Sequence, residues 1–265
     1  MKRLILAAML ATGVAGAAQA HDALKAAIAS KDRTPENVVR DSARHPYETL
    51  TFFGIKPNMT VVELSPGGGW YTEILAPYLR DKGTLIAAGE SPASPSEGAK
   101  RYADRLTKKF ESKPGVFGSV KRGVFEPARA IDFAQPGTVD MVVTFRNLHN
   151  WTSLGDDKLK AVFKSVHTAL KPGAVFGVVE HRMPASKPAN ADSGYMHEAA
   201  VIKMIESAGF KLAAKSEVNA NPKDTADHTK GVWSLPPVLA NKEVDKEKYM
   251  AIGESDRMTL KFVKQ

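Results

Sequence analysis

The stretch Val61-Val62-Glu63-Leu64-Ser65-Pro66-Gly67-Gly68-Gly69-Trp70 runs from apolar residues to an acid and then to consecutive glycines. Without Cβ atoms at Gly67, Gly68 and Gly69 the backbone can turn sharply and let a ligand reach its N–H groups. A helix starting directly after such a loop aims its own unpaired N–H groups at the same place, the arrangement a nucleoside cofactor needs. Further along, Arg146-Asn147-Leu148-His149-Asn150-Trp151 gathers a guanidinium, two amides, an imidazole and an indole in one short stretch. His149 is the candidate general base, because imidazole exchanges protons near neutral pH. Arg146, Asn147 and Asn150 could orient a polar or anionic acceptor, and Trp151 could wall it. The plainer alternative is that Asn147 and His149 cap the next helix and tie down its turn.

Other acids and imidazoles fall where strands should end: Glu90, Glu126, and Glu180-His181-Arg182. Glu180 and His181, with His197-Glu198 behind them, could line an acceptor pocket. Their spacing is not diagnostic of a metal site, so no metal is expected. Tyr71, beside Trp70, could line the same pocket or serve core packing. Asp224, Asp227, His228 and Trp233 lie in a long loop and are open to both readings, with Trp233 taken as a pocket candidate.

These groups need a scaffold that brings strand ends together. From Met59 onward the pattern alternates: Thr60 to Glu63 then Tyr71 to Leu79, Thr84 to Ala88 then Ser96 to Phe110, and Val120 to Phe125. It continues with Val139 to Phe145 then Asp156 to Leu170, and Ala174 to Glu180 then Met196 to Ala208. Repeated strand–helix units imply a doubly wound, mostly parallel α/β sheet of about seven strands with helices on both faces. In such a sheet ligands sit beyond the carboxyl ends of the strands, where strand order reverses. Turn signals agree, at Lys82-Gly83, Pro136-Gly137, Lys171-Pro172-Gly173 and Gly209. Phe210 to Val218 and Arg257 to Lys264 read as closing strands forming an antiparallel hairpin at the sheet edge. The excursion between them, residues 219–255, is long enough to be a lid or binding loop. Residues 21–58 read as a helical segment packed over the domain that follows.

The amino terminus carries Met1-Lys2-Arg3, an apolar Ala-rich run, and Ala18-Gln19-Ala20 before His21, the three parts of a secretory signal cleaved near Ala20. The expected location is therefore periplasmic or secreted, with no stable membrane insertion after cleavage. The 265-residue chain has no cysteine, which removes disulfides, thiolate metal sites and cysteine nucleophiles together. Its formal charge of +8 is spread among acids with no basic, aromatic-rich tract, so nucleic acid is not an expected partner.

The order of elements, the acid before the glycine loop, the second acid after the next strand and the two closing strands resemble class I S-adenosylmethionine-dependent methyltransferases. Glu63 to Glu73, Thr144 to Trp151, Gly231 to Pro237 and Asp256 to Leu260 resemble, more narrowly, a bacterial group of exported methyltransferases. The resemblance implies a Rossmann-like sheet with its last strand antiparallel, and S-adenosylmethionine as cofactor. It implies Glu63 near the methionine part, Gly67, Gly68 and Gly69 in the cofactor loop, Glu90 on the ribose hydroxyls and Glu126 near the adenine amino group. Ser65-Pro66 departs from the wider family, which carries glycine at the first position, and proline removes a backbone donor.

Two functions stand open from sequence. One is a methyltransferase acting on an unknown small-molecule or exported acceptor. The other is a non-catalytic exported ligand-binding protein that keeps the fold, since S-adenosylmethionine is made in the cytoplasm. An NAD-dependent oxidoreductase fits less well, because the glycine spacing is not G-x-G-x-x-G.

Overall fold

The computed structural model describes residues 18–265. The expected leader, residues 1–20, lies outside the described residues apart from its last three. Those three belong to a helix of which residues 18–28 (α1) are described.

Short helices follow: α2 (Pro35–Val38), α3 (Asp41–Arg44) and α4 (Pro46–Phe53). Gly54, at φ +85°, ends α4 in the left-handed conformation that favours glycine. The alternating units are β1 (Thr60–Leu64), α5 (Thr72–Leu79), β2 (Thr84–Gly89), α6 (Glu97–Ser112), α7 (Pro114–Phe117), β3 (Lys121–Glu126) and β4 (Ala130–Asp132). Then come β5 (Val139–Phe145), α8 (Leu148–Thr152), α9 (Asp156–Ala169), β6 (Leu170–Met183), β7 (Met196–His197) and α10 (Glu198–Glu206). β8 (Phe210–Ser216), α11 (Lys246–Ile252) and β9 (Arg257–Lys264) close the chain.

The sheet order is β4-β3-β2-β1-β5-β6-β9-β8, with β7 beside β6. β3, β2, β1, β5 and β6 run parallel; β9 is antiparallel to both β6 and β8. The doubly wound α/β expectation and the antiparallel last strand hold. Among the described residues the strand count is nine rather than about seven. The additions are the short β4, which turns back on β3, and the two-residue β7, both too brief to show a hydrophobic period.

Alternation along the central strands feeds two cores. Val62 and Leu64 of β1 face a layer holding Leu148, Trp151, Val162, Phe163, Val201 and Ile205 from α8, α9 and α10. Val61 faces the other layer, with Leu50 and Phe53 of α4, Ile74 and Leu75 of α5, and Leu24 of α1. Of the N-terminal helices, α1 and α4 therefore belong to the core, while α2 buries no residue. Phe53 lies so close to the sheet that a Cβ on Gly177 of β6 would fall 2.8 Å from its ring, which is why that strand position has no side chain.

β1 lies between β2 and β5, with Leu64 level with Ala88 on one side and Thr144 on the other. The chain leaves β1 toward β2 and later returns on β1's other side as β5, so strand order reverses here.

Candidate active site

At that reversal, the glycine loop after β1 and the Arg146–Asn150 segment after β5 come out side by side. They open on a cavity of about 460 Å³ lined by Gly67, Gly68, Arg146, Asn147, His149, Asn150, His181 and Trp233, among others, a size suited to a small-molecule site. A larger groove of about 550 Å³ between α9 and α10 holds none of the candidate chemistry.

The loop is built by left-handed residues: Ser65 at φ +48°, Gly67 at +57° and Gly69 at +74°. Ser65 is bound to its neighbour strand through its N–H to Ala88 O at 2.8 Å, and Gly69 N–H closes on Pro66 O at 2.8 Å. A Cβ on Gly67 or Gly68 would meet nothing within 4 Å, so the glycines floor an open cradle rather than relieve crowding. Asn147 ties the strand ends together, its Nδ2 lying 3.2 Å from Leu64 O, 3.3 Å from Ser65 O and 3.0 Å from Thr144 Oγ1. It precedes α8 without capping it.

Beneath the loop, Glu63 is buried and accepts a hydrogen bond from Thr72 Oγ1 at 2.6 Å. Burial pushes its carboxyl up to about 7, against the opposing effects of the Thr72 bond and the Lys109 charge. Across the cavity, Nδ1 of His149 lies 2.9 Å from Oε1 of Glu180, which has no solvent exposure. Glu180 also accepts from the backbone N–H groups of His149 and His181, at 3.3 and 2.8 Å. The buried carboxylate therefore fixes the imidazole, the α8 start and β6 at once. His181 Nδ1 lies 2.6 Å from Ser255 Oγ, and burial, with His149, Arg146 and Arg257 nearby, holds its imidazole well below the ordinary range.

Several expected residues lie elsewhere. Glu90 borders a separate recess of about 310 Å³ with Arg122 and Phe110, while Pro66 stands over the end of β2, 3.6 Å from where a Gly89 Cβ would be. Glu126 is buried and spends its oxygens on Ser91 N–H at 2.9 Å and Ser94 Oγ at 2.8 Å, shaping the loop after β2. Tyr71 is buried with its ring stacked on Phe145 at 3.5 Å, and Trp151 sits in the core, edge-on to Phe125 at 5.1 Å. Asp224 and His228 pin the long loop: Asp224 accepts from Tyr195 Oη at 2.9 Å and pairs with His228 Nε2 at 2.8 Å.

The structure adds residues that no local pattern announced. Asn37, Arg40 and Arg44 reach the cavity from the N-terminal segment, and Glu254 and Ser255 reach it from just before β9. Arg40 and Arg44 bond Glu254 through Nε at 2.6 and 3.0 Å. Trp70 Nε1 donates to Asn37 O at 2.9 Å, and the Arg44 guanidinium lies over its ring at 4.8 Å. Arg146, at φ +63°, adds a weaker contact of 3.7 Å to Glu254. Burial lowers its guanidinium to about 10, with Glu254 opposing.

His149, Glu180 and His181 offer ligand atoms within 4.8 Å of one another. The positive charges of Arg146 and Arg257 next to them oppose a divalent cation there, and the Glu180 oxygens are already engaged.

In sequence the chain matches no protein-family model and no curated protein. In structure it is similar to an S-adenosylmethionine-dependent methyltransferase from Aquifex aeolicus, with 18% identity, a TM-score of 0.55, and 87% of this chain and 93% of that one covered. It is similar also to geranyl diphosphate C-methyltransferase from Streptomyces coelicolor A3(2), solved with Mg²⁺, geranyl diphosphate and S-adenosyl-L-homocysteine, at 12% identity, TM-score 0.55 and coverages of 91% and 88%. The 4+2 cyclase SpnF matches at 13% identity and TM-score 0.54, with 84% and 80% covered. The chain thus has the fold of class I S-adenosylmethionine-dependent methyltransferases, a fold that also carries other chemistry.

Proposed function

We propose that the protein is an S-adenosylmethionine-dependent methyltransferase for a small-molecule acceptor, acting in the exported compartment to which its amino-terminal leader would direct it. The observation that carries this reading is the pairing, across one cavity at the strand-order reversal, of the open Gly67–Gly68 cradle with His149 backed by Glu180. The cradle fits a cofactor: its floor lacks side chains, and the buried Glu63 lies beneath it. When bound, S-adenosylmethionine supplies a methyl group on a sulfonium, and the acceptor's lone pair takes that methyl as the carbon–sulfur bond breaks.

The chain's own part is alignment and proton removal. Gly67 and Gly68 would hold the cofactor loop side, and Asn147 keeps that loop level with the Arg146–Asn150 segment. With Nδ1–H directed at Glu180, His149 keeps Nε2 as the nitrogen able to take a proton from the acceptor. The resulting imidazolium would be stabilised by the Glu180 carboxylate. Trp233 stands edge-on to His149 at the cavity wall, with ring centres 6.1 Å apart.

Calorimetric titration with S-adenosylmethionine and S-adenosylhomocysteine tests the reading. Micromolar binding, lost in Gly67→Asp because a carboxylate then occupies the cradle, is the expected result. A folded protein that binds neither compound sinks the reading and leaves the fold serving another ligand.

A further inference from the structure

We propose that the acceptor carries an oxyanion, a carboxylate or a phosphate, seated on Arg40 and Arg146 in the field of Arg44 and Arg257. That the bound oxyanion is the methyl acceptor rests on the methyltransferase reading; the seat itself stands on charge and geometry.

Glu254, 7% exposed at its side chain, faces four guanidinium groups: Arg40 Nε at 2.6 Å, Arg44 Nε at 3.0 Å, Arg257 Nη1 at 3.1 Å and Arg146 Nη1 at 3.7 Å. One carboxylate cannot balance four cations, and the neighbouring acids are committed elsewhere. Asp41 pairs with Arg33, Asp256 with Arg182, Glu73 with Lys109, and Glu180 holds His149. The surplus positive charge lies against a cavity rather than bulk solvent.

Unpaired donors mark the same place. Arg40 Nη2 and Arg44 Nη1 are buried with no hydrogen-bond partner among the described residues, and Arg44 is only 2% exposed. Buried donors without acceptors are costly, more so on charged groups, so the cluster is short of acceptors among the described residues. Arg146 is held at a positive φ that a long side chain rarely adopts, the kind of strain that persists where a site needs a side chain in one place. The reachable guanidinium surface belongs to Arg40 and Arg146, whose side chains are 21% and 22% exposed; Arg44 and Arg257 stand behind them. Planar forks of this kind bind carboxylate and phosphate oxygens in pairs. Trp70 and Trp233, also on the cavity wall, leave room for an apolar body beyond the charged end.

The rival use of these arginines is the single carboxylate of the cofactor, and competition separates the two. The protein is titrated by calorimetry with inorganic pyrophosphate and, separately, with malonate at matched ionic strength, each with and without saturating S-adenosylhomocysteine. The expected result is that at least one probe binds equally well with S-adenosylhomocysteine present. That binding should weaken by about tenfold in Arg40→Gln and in Arg146→Gln, with thermal melting confirming that each variant is folded. Preference for pyrophosphate assigns a phosphate-bearing acceptor, and preference for malonate a carboxylate. Strict competition with S-adenosylhomocysteine overturns the proposal by giving the arginines to the cofactor. Binding of neither probe, or equal binding by folded variants, overturns it as well. Pyrophosphate binding in a protein that does not bind S-adenosylhomocysteine supports the seat and sinks the methyltransferase reading alone.

Discussion

His149 Nδ1 and Glu180 Oε1 stand 2.9 Å apart, joining the segment after β5 to the C-terminal part of β6 through a carboxylate sealed from solvent. The contact does more than hold a helix turn, because it selects which imidazole nitrogen carries the proton. The expected state is Nδ1–H with Nε2 free, visible in the nitrogen NMR shifts of the neutral His149 ring. Glu180→Gln should mix the tautomers. Once an acceptor is in hand, His149→Ala should lower kcat by roughly 10²- to 10⁴-fold while leaving the Kd for S-adenosylhomocysteine unchanged. An imidazole with the same tautomer in Glu180→Gln would show that the carboxylate does not set it.

Glu63 gives the fold a pH dependence of definite sign. Its carboxyl is raised from 4.5 to about 7 by burial, so the folded state holds a proton that the unfolded chain has lost between those values. Its contribution to stability is full below about 4.5 and disappears as pH rises through about 7, a change on the order of 3 kcal/mol. Glu63→Gln keeps an acceptor for Thr72 without the ionisable group. Urea unfolding from pH 5 to pH 8 should show the native protein losing stability relative to this variant; parallel curves would mean Glu63 is charged throughout.

Gly177→Ala should cost about 1–3 kcal/mol in urea unfolding, because the added Cβ would fall 2.8 Å from the Phe53 ring. Phe53→Leu in the same chain should recover part of the loss by making room. A neutral Gly177→Ala would show that α4 can lift from the sheet at little cost.

Asp224→Asn should loosen the loop that bears Trp233. Asp224 accepts from Tyr195 Oη, from the N–H groups of Ala226 and Asp256 at 2.9 and 2.8 Å, and faces His228. Losing a buried charge acceptor of this kind costs at least about 2 kcal/mol. Limited proteolysis should then cut within residues 225–245 before the rest of the chain. Unchanged protection would place the hold on this loop elsewhere.

What the sequence by itself determined is local. Alternation and glycine position placed β1, the Gly67–Gly69 loop and α5 almost to the residue, since strand period, helix period and left-handed turns are properties of neighbouring residues. The Arg146–Asn150 segment was visible for the same reason, and repeated strand–helix units imply a parallel sheet, but that strand order reverses beside β1 is a matter of its pairing with both β2 and β5. Only the tertiary structure decided which charges share a space. Arg40 and Arg44 meet Glu254 across more than 200 positions of chain, and no period or motif records a contact closed by the docking of α3 against the segment before β9. Glu90 and Glu126, legible as strand-end acids, do not line the cavity that holds Gly67 and His149: Glu90 borders a separate recess and Glu126 spends its oxygens on the loop after β2. A residue's type shows what it can do; burial and its partners, set by the whole fold, settle what it does.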